Sequence, residues 1–163
     1  MLPVYAPPEC GRRTRMNKVV VPNSILLGEV KRMLAEGREV VIPTKGNSML
    51  PFIHGTRDSV RLRKLDTLDV GDIVLAEIRE GVYVLHRIFG IDGDKVTLMG
   101  DGNRLGVEHC LRENVAGTAI GILKKGVKEV DCRSPKALRR ARIWRKILPL
   151  RRIILAFYRR LFV

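Results

Sequence analysis

Three short segments carry the residue types from which nucleophilic catalysis is assembled. Lys45-Gly46-Asn47-Ser48-Met49-Leu50-Pro51 holds a lone serine between turn formers and apolar residues. Tyr83-Val84-Leu85-His86-Arg87-Ile88 embeds a histidine in a strand-like apolar run, and Met99-Gly100-Asp101-Gly102-Asn103 sets an acid in a glycine-rich turn. A serine attacks only if a base within about 2.6–3.2 Å takes its proton. An imidazole, with an ordinary pKa of about 6.5, suits that task at neutral pH, and a third group fixes its tautomer. Each segment also has a plain structural reading. A serine in such a turn bends or caps the backbone, a strand histidine sits half-buried and hydrogen-bonded, and an acid in Gly-Asp-Gly serves the turn.

The elements that must position these residues are short and mostly extended. A helix is predicted over Ser24–Glu36, capped by Asn23 or Ser24, with Leu26, Val30, Met33 and Leu34 on one face and Gly37 as its stop. It reads as a lid or brace. Strands are predicted over Val40–Ile42, Ser59–Leu62, Ile73–Ile78, Tyr83–Ile91, Lys95–Met99 and Ala116–Leu123. Asp92-Gly93-Asp94 reads as a hairpin turn joining the histidine strand to the next. Strands this close, with no helices between them, cannot build a parallel βαβ sheet. The expected fold is mainly β, a compact and mostly antiparallel domain with one N-terminal helix.

Order along the chain adds a family resemblance. Gly46-Asn47-Ser48-Met49-Leu50-Pro51 resembles the Ser-Met-Pro box of the signal peptidase I superfamily, which also includes self-cleaving repressors. Val70-Gly71-Asp72-Ile73-Val74 is similar to its Gly-Asp-Ile/Val box, His86-Arg87-Ile88 to the His-Arg-Val/Ile motif of the archaeal and endoplasmic-reticulum branch, and Gly100-Asp101-Gly102-Asn103 to its Gly-Asp-Asn-Asn box. The four motifs follow the family's order.

The resemblance implies a serine endopeptidase that cleaves a protein or a leader peptide. Ser48 is its nucleophile and His86 its base, in place of the lysine of the bacterial branch. Asp101 is the first expectation for the orienting acid and Glu108 the second. The Ser48 N–H and a neighbouring loop donor would form the oxyanion hole. Met49, Leu50 and Pro51 are expected to shape a substrate pocket or to pack in the core. No cofactor and no metal are implied; His54 and His109 lack partners at zinc-like spacing. The implied alternatives are a non-catalytic binding or regulatory module with this fold, and a regulator that cuts itself at Cys10-Gly11.

Charge divides the chain. The formal net charge is +14, yet residues 133 to 163 hold eleven Lys or Arg and no Asp or Glu, leaving +3 on residues 1 to 132. The expected organisation is therefore a loose arm (1–18), a β domain (19–132) and a basic helical tail (133–163). In the tail Ala137, Ala141, Trp144 and Leu148 line one helical face. Beyond Pro149, Leu150, Ile153, Ile154, Phe157 and Leu161 recur at helical spacing beside Arg151, Arg152, Arg159 and Arg160. Such a helix suits an anionic membrane surface first, the body of the domain or a partner protein second, and nucleic acid third, because no stacking platform accompanies the charge.

Arg12, Arg13 and Arg15 precede no long apolar stretch, and the longest apolar run, Ile153 to Tyr158, is far short of the roughly 20 residues of a span. Cys10, Cys110 and Cys132, odd in number and without CxxC spacing, read as reduced structural thiols. The expected location is cytoplasmic, or peripheral on a membrane through the tail.

Overall fold

The computed structural model describes residues 23–103, 105–126 and 129–162. The arm expected over residues 1–18, with the Cys10-Gly11 bond, lies outside them. Helix α1 (Asn23–Ala35) is followed by β1 (Val40–Pro43), β2 (Ser59–Arg63), β3 (Ile73–Arg79), β4 (Val82–Asp92), β5 (Lys95–Met99), β6 (Glu108–Leu111), β7 (Val115–Leu123) and β8 (Val130–Asp131). Two further helices, α2 (Pro135–Lys146) and α3 (Arg151–Phe162), end the chain. The strands form one antiparallel sheet in the order β1-β2-β7-β3-β4-β5-β6, with β8 on β7. The fold is mainly β, as the strand-rich pattern predicts. The sequence reading contained neither β6 nor β8. Both are short, and β6 opens on two polar residues, Glu108 and His109.

Alternation of side chains along each strand divides the buried residues between clusters. Val30 and Leu34 of α1 cover Val40, Ile42, Val60, Leu62, Leu75 and Ala119. α1 is therefore a brace, and Lys31 Nζ ties it to Glu77 of β3 at 2.6 Å. A second cluster joins Val74, Ile88, Val96, Leu98 and Cys110 along β3–β6. The third belongs to the tail: Trp144 of α2 and Leu155 of α3 bury Leu50, two residues past Ser48.

The tail is thus folded against the domain. Ser134 caps α2 by accepting from the Ala137 N–H, Pro135 occupies its first turn, and Ala141 and Trp144 face inward. Leu148–Leu150 turns the chain into α3. Arg151 is buried at this corner, donating through Nε and Nη2 to the Trp144 carbonyl at 3.2 and 3.1 Å, with its guanidinium over the Trp144 ring. Burial pushes the Arg151 pKa down. Trp144 packs inward, whereas Phe157 does not: Leu150, Ile153, Ile154, Phe157 and Leu161 point to solvent.

Candidate active site

The serine loop is held from several sides. Thr44 Oγ1 donates to the carbonyls of Asp58 (2.8 Å) and His54 (3.2 Å), and the His54 N–H donates to Asp58 Oδ2 (2.9 Å). After Ser48 the backbone makes one helix-like turn, with Phe52 N–H and Ile53 N–H both donating to the Met49 carbonyl. The Leu50–Pro51 peptide is cis. The Ser48 carbonyl accepts from the Gly102 N–H at 2.7 Å. Among the described residues, neither its own N–H nor its hydroxyl has a protein partner.

Glycines 100 and 102 are where they are because the serine loop lies on them. A Cβ on Gly100 would stand 2.5 Å from the Ser48 carbonyl oxygen, and one on Gly102 would stand 2.5 Å from the Asn47 carbonyl oxygen. Both contacts are backbone, which has no free end to swing away. Two motifs that are separate in the sequence are therefore one packed unit.

His86 projects from β4 and is 5% exposed. Its Nδ1–H donates to Glu108 Oε2 at 2.9 Å, which leaves Nε2 as the nitrogen available for another partner. Arg87, the next residue, donates to both oxygens of Asp101 (Nε 2.8 Å to Oδ1, Nη2 2.7 Å to Oδ2) and through Nη1 to the Gly71 carbonyl at 2.6 Å. Asp101 is buried and committed to this pair. The first expectation for the orienting acid is thereby corrected. Successive residues of a strand point to opposite faces, so the carboxylate that meets Arg87 is on the wrong side for His86, and Glu108 occupies the place beside the imidazole.

Ser48 and His86 line one cleft of about 230 Å³. Its apolar wall comes from Leu27, Ile42, Met49, Ile53, Tyr83 and Leu85, with Lys45 and Gly46 beside the serine. Burial pushes the Tyr83 hydroxyl pKa up. Met49 lies at the cleft. Leu50 and Pro51 do not line it: Leu50 is fully buried against Trp144 and Leu155, and Pro51 follows it around the turn.

The tail reaches the same loops. Trp144 Nε1–H donates to the Asp101 carbonyl at 3.0 Å, and Arg159 Nη2 donates to the Gly102 carbonyl at 3.4 Å. The Tyr158 hydroxyl and His54 Nε2 share a hydrogen bond. Phe52 stands edge-on to Trp144 at 5.6 Å, and the Arg87 guanidinium lies over the Phe52 ring. The sequence reading assigned no site role to Arg87 or to Trp144. Their signals were a cation buried in an apolar strand and the chain's single tryptophan, and neither has a partner legible from spacing alone.

The remaining candidates fall elsewhere. His109 Nδ1 is bonded with Thr97 Oγ1 at 3.2 Å on an exposed strand face, and His54 is engaged with Tyr158. Cys110 and Cys132 are free thiols; burial pushes Cys110 up and Cys132 up to about 12, so neither forms a thiolate nucleophile at neutral pH. No protein-family model matches the chain, and no curated protein is significantly similar to it.

Proposed function

We propose that the protein is a serine endopeptidase in which Ser48 is the nucleophile, His86 its general base and Glu108 the acid that orients His86. The observation that carries this reading is the His86–Glu108 hydrogen bond, made by an imidazole that shares its cleft with an unpartnered serine. A serine, an imidazole and a carboxylate acting in series activate a hydroxyl; here the imidazole–carboxylate bond is made, and the serine hydroxyl stands in the same cleft without a hydrogen bond to the imidazole.

In the proposed reaction a peptide segment lies in the cleft with apolar side chains against Met49, Ile53 and Leu85. Nε2 of His86 takes the Ser48 proton as Oγ attacks the scissile carbonyl. Glu108 keeps the other nitrogen protonated and stabilises the imidazolium. The unpartnered Ser48 N–H is a donor for the developing oxyanion. His86 then returns the proton to the leaving amine, and water, deprotonated by the same nitrogen, releases the acyl group from Ser48.

The test is intact-mass spectrometry after exposure to a serine-reactive acylating or phosphonylating probe. Wild type is expected to gain one adduct mapping to Ser48, and Ser48→Ala and His86→Ala none. Absence of an adduct on folded wild type would overturn the peptidase reading and favour a non-catalytic binding module with this fold.

A further inference from the structure

Helix α3 carries three distinct faces. Arg151, Leu155 and Tyr158 turn inward onto the domain. At 3.6 residues per turn, Ile153, Ile154, Phe157 and Leu161 gather in an outward sector about 100° wide, with exposed Leu150 in the turn just before the helix. Arg152, Arg159 and Arg160 fill the sector between. The apolar sector is well exposed, with Phe157 at 67% and Leu161 at 69%. Contiguous exposure of this kind marks an interaction surface, whereas scattered single residues do not.

The charge around this stripe says what covers it. The segment from residue 133 onward has eleven cations and no acid. Only Arg133 is paired with carboxylates among the described residues, through Asp69 and Asp72. A second copy of the chain would bring the same positive field against this one. Nucleic acid would match the arginines but would leave the Ile, Leu and Phe side chains without an apolar partner. An anionic bilayer supplies both halves: headgroup charge for the arginines, and an acyl boundary about 5–10 Å deep for the apolar stripe.

We propose that α3 docks in the interface of an anionic membrane, with Phe157 and Leu161 inserted and Arg152 and Arg160 at the headgroups. No helix among the described residues is long and apolar enough to cross a bilayer, so the helix lies in the interface plane. Tyr158 of its inner face touches His54, and Arg159 beside it touches Gly102. Docking therefore brings the serine loop within about one helix diameter, ~10–12 Å, of the lipid surface. The docking itself stands whether or not Ser48 is reactive.

The experiment is co-sedimentation of full-length Ser48→Ala protein with large vesicles of phosphatidylcholine alone or with 30% phosphatidylserine, at about 0.1 M salt. Binding to the anionic vesicles is expected to exceed binding to the neutral ones at least about tenfold. Two double variants at exposed positions keep the inward face intact. Phe157→Ser/Leu161→Ser leaves the charge unchanged and is expected to lose about tenfold or more in vesicle binding. Arg152→Gln/Arg160→Gln keeps the stripe and is expected to lose about tenfold on anionic vesicles only. Unchanged vesicle binding by Phe157→Ser/Leu161→Ser would overturn the proposal and leave a purely electrostatic polyanion surface. Equal binding to both vesicle types, or binding to neither, would overturn it too. Probe labelling of Ser48, measured separately, tells this failure from a failure of the peptidase reading.

Discussion

His86 is held by Glu108, a residue 22 positions further along the chain on a strand that does not pair with its own. Register explains the reach. Glu108 pairs with Leu98 and Leu98 with Ile88, so this row lies two residues from His86 and on the same face of the sheet. Arg87 pairs with Met99, and Asp101 follows on Arg87's side. The two carboxylates therefore have separable tasks. Glu108→Gln removes the charge that steadies the imidazolium, and the rate of Ser48 acylation is expected to fall about 10²- to 10⁴-fold with little change in stability. Asp101→Asn leaves the Arg87 cation buried without its counter-charge and is expected to cost about 3–5 kcal/mol in urea unfolding. If Asp101→Asn slowed acylation without loss of stability, these roles would be reversed.

One irregularity in β4 separates what was legible in the sequence from what was not. Counting outward from the Asp92-Gly93-Asp94 turn, Asp92 pairs with Lys95 and Gly90 with Thr97; continued, the count sets His86 opposite Asp101. The register instead shifts by one between Ile88 and Gly90, and a one-residue shift exchanges the faces. Nothing in Ile88-Phe89-Gly90 announces a bulge except the glycine. The sheet's strands were legible because each is an apolar run between turn formers. β6 was not, since Glu-His-Cys-Leu is only four residues long and does not alternate, so no pattern set Glu108, the second candidate, beside His86. The tail's helices were legible from their period, but the period does not say which apolar residues face inward. Trp144 finds buried Leu50 and Phe52, while Phe157 finds no such surface.

Glycine at 100 and 102 tests the unity of the serine and acid motifs. Gly100→Ala and Gly102→Ala each place a methyl group 2.5 Å from a carbonyl oxygen of the serine loop. The loop must move, since the obstructing atoms are backbone. Each substitution is expected to destabilise by about 1–3 kcal/mol and to slow probe labelling of Ser48 more than tenfold. Labelling at the wild-type rate in both variants would mean that the loop's position does not matter to the hydroxyl.

His54 should give the fold a pH dependence of its own. Burial pushes its imidazole below the ordinary value, and the nearby Arg57 and Lys124 push it further, against an opposing pull from Asp58. The unfolded chain takes up a proton as pH falls through about 6.5, and the folded chain resists it. Stability associated with neutral His54 is therefore complete above about pH 6.5 and is lost progressively below it. Between pH 7.5 and 5.5 the unfolding free energy of wild type is expected to decline more steeply than that of His54→Gln. The difference is at most one proton, or about 1.4 kcal/mol per pH unit. Equal slopes in urea titrations of the two proteins would sink the idea.

Trp144 decides whether the tail is part of the cooperative unit. It is 6% exposed, stands edge-on to Phe52, covers Leu50 and donates to the Asp101 carbonyl. Trp144→Ala empties that space and is expected to cost about 3–5 kcal/mol. Trp144→Phe keeps most of the apolar contact but leaves the Asp101 carbonyl without its donor, at about 1–3 kcal/mol. As the chain's single tryptophan, it also reports on its own environment. Unfolding of wild type followed by tryptophan fluorescence should coincide with unfolding followed by the NMR amide signals of β3, β4 and β7, because the residue that emits belongs to the tail and those strands to the middle of the sheet. A fluorescence transition that completes at lower urea, while the sheet signal persists, would show the tail detaching first. The contacts of Trp144 and Arg159 with the Asp101 and Gly102 carbonyls would then be too weak to hold the serine loop.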